Sequence, residues 1–238
     1  PFEGRMLHIT PSIGICVYPD DGADVETLMR HADAAMYHAK ASGRNNYQFF
    51  TQTMNQAASQ HFELESSLRG AMARQEFELF YQPIIDIGTR RIHTLEVLLR
   101  WRRGGTELVQ PDQFIPIIEE NGLIVPVGEW VMRRACEQSV EWLRQGFDPV
   151  PLAVNLSPRQ FMNRGLIQSI RSILDETGID PALIEFEITE TALMQHGEQT
   201  LEILGQINRM GIRLSIDDFG TGYSSLAYLK RFPVKKVK

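Results

Sequence analysis

The chain is poor in the residues from which thiol frameworks and zinc centres are built: 2 cysteines and 6 histidines among 238 residues. Cys16 and Cys136 stand far apart in apolar surroundings without CxxC or Cys/His ligand spacing, so neither a disulfide framework nor a zinc site is expected from them. They read as free thiols, and a reducing, cytoplasmic location follows as the expectation. No apolar run reaches the roughly 18 residues of a membrane span, and the opening "PFEGRMLHIT" lacks a signal-peptide pattern. Membrane attachment would therefore need segments of a longer parent. Positive charge is also short. The formal net charge is -6, and no cluster of Lys and Arg is interleaved with aromatics, which speaks against wrapping a nucleic-acid polymer or docking on anionic lipid. What is present is ordinary globular composition, 43% apolar and 23% charged, long enough for one large domain or two modest ones. A small anionic ligand held by a few local cations or metals stays open.

Residues 1–54 read as a separate unit. "HITPSIGICVYPDDG" carries β-branched and aromatic residues up to a turn, and a helix is expected from about Asp24 to Ser42, closed by Gly43, with Ala35, Met36 and Ala39 as its packing stripe. The polar "TQTMNQAASQ" leads into an amphipathic "HFELESSLRGAMARQ", so residues 55–75 read as a helical connector. From Glu76 to Lys238 strands alternate with helices. "FELFYQPIID", "IHTLEVLLRW", "PLAVNLS", "ALIEFEIT", "IRLSIDDF" and "PVKKVK" predict strands, and the intervening helices stop at Gly146, Gly178 and Gly211. Repeats of roughly 30 residues are βαβ-sized and imply a parallel sheet, doubly wound or closed as a barrel. No GxGxxG follows the first strand, which lowers the dinucleotide-binding alternative.

Strand period places Glu96, Leu98 and Arg100 on one face, as it does Ala153 with Asn155, Glu185 with Glu187, and Ser215 with Asp217. Each set lies towards the C-terminal end of its strand, where a (β/α) barrel builds its active site. Glu96, Asn155, Glu187 and Asp217, with Lys238 in the sixth strand, thus form a constellation. Carboxylates and an amide oxygen suit Mg²⁺ or Mn²⁺. Asp217 can bridge two ions, and Asp218 can reach the second if the strand breaks at "DDFGTG", which Gly220 and Gly222 would permit. Two such cations about 3.5–4 Å apart can clamp a phosphate ester. Arg100, on the face of Glu96, is the better phosphate contact than Arg102 or Arg103. Asn155 has a competing reading as the cap of the "NLSP" turn. "FIPIIEENG" is expected to start a helix over the barrel rather than to supply acids, so Glu119 and Glu120 are left out of the acid set.

"LEVLLRW", "VNLSPRQF", "FEITE" and "DDFGTGYSSLAYLKRFPVKKVK" together resemble the EAL domain, a bacterial cyclic-di-GMP phosphodiesterase, from roughly Phe62 to the end. The resemblance implies an α/β fold, a TIM-like (β/α)8 barrel whose first strand is antiparallel. It further implies that Glu96, Asn155, Glu187 and Asp217 bind one divalent metal, Asp217 and Asp218 the second, and that Lys238 positions the attacking water. Arg100 would contact a substrate phosphate, Gln82 and Leu98 would line the site, and Glu190 would hold the "DDFGTGYSS" loop that links the site to a dimer contact. Val97 replaces the family's signature Ala. The family's catalytic Glu lies beyond the equivalent of Lys238, so the expectation is a fragment of a longer parent, with the barrel open and its last strands missing.

The opening unit has its own likeness. "SIGICVYPDDG" and "LMRHADAAMYHAKASGRNNYQFF" resemble the C-terminal third of an α+β GGDEF domain, in which Lys40 and Arg44 would contact a nucleoside triphosphate. The signature loop of that family is not in this sequence. The resemblance implies Mg²⁺- or Mn²⁺-dependent hydrolysis of cyclic-di-GMP to linear pGpG by the parent. A receptor that binds the dinucleotide without cleaving it is the alternative, and a purely structural dimerisation module the third.

Overall fold

The computed structural model describes residues 10–194, 197–220, 232, 234, 236 and 237. The chain divides into two compact units, the first ending at Ser67 and the second beginning at Leu68. Among the described residues no helix is long and apolar enough to cross a membrane.

In the first unit, β1 (Ile13–Ile15) and β2 (Tyr47–Phe49) pair in parallel, joined by α1 (Val25–Ala41). Asp24 caps α1 by accepting a hydrogen bond from the Thr27 amide at 2.8 Å, a group that would otherwise be orphaned in the first turn. Gly43, at φ +98°, follows the end of the helix, as the sequence predicts. Ala35 and Ala39 are fully buried, and Gly14 lets α1 lie directly on β1: a Cβ there would overlap the Ala32 carbonyl oxygen and the Met36 amide nitrogen. Arg44 does not stand one helical turn from Lys40. The helix ends at Ala41, Arg44 takes a left-handed φ of 58°, and both side chains are exposed. The polar stretch expected as a link is itself helical, because α2 (Gln52–Leu68) runs from it through the expected boundary near Asn55.

The second unit is a sheet covered by helices. Along the sheet run β3 (Phe77–Ile85), β4 (Ile92–Arg103), β6 (Leu152–Asn155), β7 (Ile184–Thr189), β8 (Arg213–Asp217) and β9 (Lys236–Val237), while β5 (Glu107–Val109) folds back on the end of β4. The order is β3-β4-β6-β7-β8-β9. β3 is antiparallel to β4, and every later pair along this path is parallel. That is the wall of a (β/α) barrel with a reversed first strand.

Alternation along β4 sorts its side chains. Val97 and Trp101 turn outward and are buried, against helices that include α3 (Pro111–Asn121), whose Phe114 meets the Trp101 ring edge-on at 5.8 Å. α4 (Ile124–Arg144) buries Val127, Val131, Ala135 and Ser139, an i, i+4 stripe, and α6 (Leu166–Thr177) buries Ile170, Ile173 and Leu174. Removing each large aliphatic or aromatic side chain of this layer from water is worth roughly 1.5–3 kcal/mol. Cys136 lies in the α4 stripe, and burial pushes its thiol up to about 12, which makes it an inert core residue.

Candidate functional site

The even-numbered residues of β4 face the other way, into the interior of the sheet's curve. Gln82 of β3 stands directly opposite Glu96, and Phe80 opposite Leu98. The Arg100 guanidinium lies 5.4 Å from the centre of the Phe80 ring and donates a hydrogen bond to the Leu99 carbonyl at 3.0 Å. A flat cation is therefore held at the strand end before any ligand arrives.

Asn155 ends β6 on the same face. Its side-chain amide donates to Glu96 Oε1 at 3.1 Å, and its backbone register partner on β7 is Glu187. The capping role that competes for Asn155 is taken by Ser157. Ser157 Oγ accepts from the Gln160 amide, and Gln160 Oε1 accepts from the Ser157 amide, both at 3.2 Å, at the start of α5 (Pro158–Phe161). Asn155 is thereby left to the interior face.

Glu187 is 1% exposed and is flanked by Asn155 on one side and Ser215 on the other. Asp217 closes β8 opposite Thr189. The strand breaks at Asp218 itself, which adopts φ 55°, with Gly220 following at φ 94°. Asp is among the few non-glycine residues that tolerate this region, so the break does not wait for the glycines. Glu190, 2% exposed at the start of α7 (Glu190–Met194), accepts a hydrogen bond from the Gly220 amide at 3.0 Å through Oε2. A buried carboxylate is thus tied to the turn that carries Asp217 and Asp218. Gly222 and Lys238 lie outside the described residues.

The structure pairs Gln82 with Glu96 and Asn155 with Glu187 in register, joins Glu96 to Asn155 by a hydrogen bond although the register partner of Glu96 on β6 is Ala153, and sets Asp217 one strand further on. Among the described residues no three His, Cys, Asp or Glu side chains form a group that could hold a metal ion. The donors stand side by side on neighbouring strands, and Glu96 is engaged by Asn155. Their chemistry, carboxylate and amide oxygen throughout, fits a hard divalent cation.

A cleft of about 310 Å³ opens beside these groups. Leu98, Arg100, Asn155, Glu187 and Thr189 line it from the strands. Ile115 and Glu119 line it from α3, and Ile124 and Val127 from α4. Burial pushes the Glu119 carboxyl above its ordinary value, with the Arg159 charge pulling the other way.

Sequence reasoning left Glu119 out. The available signal was the row Pro111, Ile115, Glu119 at helical spacing, next to the buried Phe114, Ile117 and Ile118. It also missed the ion pair of Lys236 Nζ with Glu185 Oε1, at 3.4 Å, which spans β8 beneath the site. The parity shared by Glu185 with Glu187 pointed to that face.

Residues 65–238 match the family model described as EAL domain, and residues 1–46 match that of Diguanylate cyclase, GGDEF domain. The chain is 45% identical over 232 residues to the Bifunctional diguanylate cyclase/cyclic di-GMP phosphodiesterase MucR of Pseudomonas aeruginosa, covering 98% of this chain and 34% of that protein. It is 37% identical over 240 residues to the Cyclic di-GMP phosphodiesterase PdeR of Escherichia coli, covering 100% of this chain and 36% of that one. A solved structure described as PaMucR Phosphodiesterase, c-di-GMP complex, superposes with a TM-score of 0.71 at 42% identity, over 74% of this chain and 71% of the other. The chain spans about a third of the length of the curated relatives it matches.

Proposed function

The chain belongs to the EAL-domain family, and on that premise we propose that its site hydrolyses cyclic-di-GMP to linear pGpG. The observation that carries the reading is the convergence on one face of Glu96, Asn155 and Glu187, joined by a hydrogen bond and a register pair, with Arg100 on the same strand as Glu96. Water adds to a phosphorus of the ring, the bond to one 3′ oxygen breaks, and the phosphate stays on the 5′ side of the linear product.

EAL phosphodiesterases are in general metal-dependent. We assign two cations, Mg²⁺ or Mn²⁺, one to Glu96, Asn155, Glu187 and Asp217 and the other to Asp217 and Asp218. When bound, they supply positive charge against the phosphate oxygens and acidify water at neutral pH. The chain's own groups do the rest. Arg100, preset over Phe80, binds a phosphate oxygen through its planar fork. Gln82 offers an amide beside Glu96, and Leu98 an apolar floor. Glu190, by holding Gly220, keeps the Asp217–Asp218 turn from drifting, and small displacements of such groups cost large factors in rate. Lys238 is assigned to orienting the attacking water. A homodimer through this unit belongs to the same reading and is checked by sedimentation.

The test uses the natural full-length protein. It is expected to linearise cyclic-di-GMP in Mg²⁺ or Mn²⁺ and to stop on chelation. Asp217→Asn should lower kcat by about a hundred- to a thousand-fold, the scale of losing a fixed charge-stabilising group. Unchanged turnover in that variant overturns the assignment. Binding without turnover in the wild type moves the reading to a receptor.

A further inference from the structure

We propose that the ion pair between Lys236 and Glu185 sets the register of β9 and so decides which lysine of "PVKKVK" reaches the phosphodiester. Both are then positioning residues for the reaction. The inference rests on the cyclic-di-GMP reading above, in which Lys238 orients the attacking water, and adds what places that lysine.

The neighbouring strands fix their register by pattern. In β7, Ile184, Phe186 and Ile188 alternate with Glu185, Glu187 and Thr189, and in β8, Leu214 and Ile216 alternate with Arg213, Ser215 and Asp217. The apolar members are each no more than 1% exposed, so a one-residue slip would turn them out of the core. β9 has no such pattern. Val234, Lys236 and Lys238 share one parity and Lys235 and Val237 the other, so each side carries a valine and at least one lysine. Its ladder to β8 is two register pairs, Ser215 with Lys236 and Ile216 with Val237. A shift of two residues would keep each side chain on its own side and set Lys238 where Lys236 stands.

Glu185 tells the two registers apart. It is 5% exposed, and its Oε1 lies 3.4 Å from Lys236 Nζ, across the width of β8. A buried carboxylate calls for a cation, and leaving it unmatched is costly. Arg213 stands opposite Glu185 in register, yet the ion pair is made with the lysine one strand further on. The bond therefore ties β9 to β7 rather than β8 to β7, and it holds β9 at one level along the sheet. Fixing register is the best-attested use of a buried polar contact. With Lys236 opposite Ser215, the same ladder extended by two residues sets Lys238 opposite Asp217, the acid assigned to both cations. Shifted by two, Lys238 would fall back opposite Ser215 and leave Asp217 without it.

The experiment uses the natural full-length protein and compares Glu185→Gln, Lys236→Met, Lys236→Arg and the charge swap that joins Glu185→Lys with Lys236→Glu. Turnover of cyclic-di-GMP in Mg²⁺, its calorimetric binding, and amide hydrogen exchange in β8 and β9 are measured. E185Q and K236M should each lower kcat by about 10- to 100-fold with KM within about threefold of wild type, since a displaced group costs rate rather than binding. Exchange should quicken in β9 while β6 and β7 keep their protection. K236R keeps the cation and should stay within about threefold of wild type in kcat. The swap remakes the pair in reverse and repels a slipped Lys238, so it should recover both kcat and slow exchange. Such recovery comes only from the two charges meeting. Wild-type kcat in E185Q and K236M, or a swap no better than either single change, overturns the proposal. Where E185Q fails to fold, activity in both the swap and K236R supports it and loss in either overturns it. If the wild type does not cleave cyclic-di-GMP, the phosphodiesterase reading falls, and the exchange comparison alone decides whether the pair sets the register of β9.

Discussion

The two units use similar elements, parallel strands joined by helices, and reach opposite surfaces. In the first, β1 and β2 are three residues each, the buried cluster is Ala34, Ala35, Phe50 and Met54, and Ile13, Tyr47 and Phe49 are exposed. In the second, Trp101, Phe114, Phe161 and Phe186 are all under 2% exposed, and polar groups gather where β6 and β8 end: Asn155 and Asp218 exposed, Asp217 half-buried. The difference also decides where chemistry collects. A succession of parallel strands brings alternate residues of several segments to one face. A two-stranded sheet has too few, and Lys40 and Arg44 are parted by the helix end.

The contrast is sharpest in a pair of substitutions. Phe114→Ala is expected to destabilise the second unit by about 3–5 kcal/mol, as a cavity in a close-packed layer should. Phe49→Ala should change stability by no more than about 0.5 kcal/mol. Denaturant titration with hydrogen exchange resolves the two units, and equal effects would break the comparison. Gly14→Val probes a place where the first unit is tight. Its side chain has no room against α1, and a loss of about 1–3 kcal/mol, the usual cost of overpacking, should show as faster exchange in α1 alone.

The smallest effect expected is electrostatic. Hydrogen bonds from Arg74, then from Trp101 Nε1 and the Gly104 amide, hold the Glu76 carboxyl at about 2, against a desolvation cost that would raise it. A depressed carboxyl stabilises the fold above its unfolded value near 4.5, and this contribution is lost as pH falls from there towards about 2. Glu76→Gln should flatten the thermal stability of the second unit across that window. The same slope in both proteins would remove Glu76 as the cause.

Much of this was legible beforehand, and the reason differs from element to element. β8 was expected from "IRLSIDDF", α6 from an apolar stripe ending at Gly178, and α1 from Asp24 to Gly43, because period and caps are local properties written residue by residue. α2 was less legible, since polarity in "TQTMNQAASQ" masks a sequence with no helix breaker. The break after β8 was expected from Gly220, which does take a left-handed φ of 94°, while the part played by Asp218, at φ 55°, was hidden behind the louder glycine signal.

The site divides along the same line. Within each strand, parity groups Glu96 with Arg100, Ala153 with Asn155, Glu185 with Glu187 and Ser215 with Asp217, and that much belongs to the amino-acid order alone, whereas register brings the four sets to one face. Which of them touch is likewise outside that order. The contact of Asn155 with Glu96, the bond that ties Glu190 to Gly220, the ion pair of Lys236 with Glu185 and the half-burial of Glu119 beside Arg100 join residues far apart in the chain. Those meetings depend on register between strands and on how α3 seats against the sheet. Both are set by packing of the whole layer, so only the tertiary structure decided them.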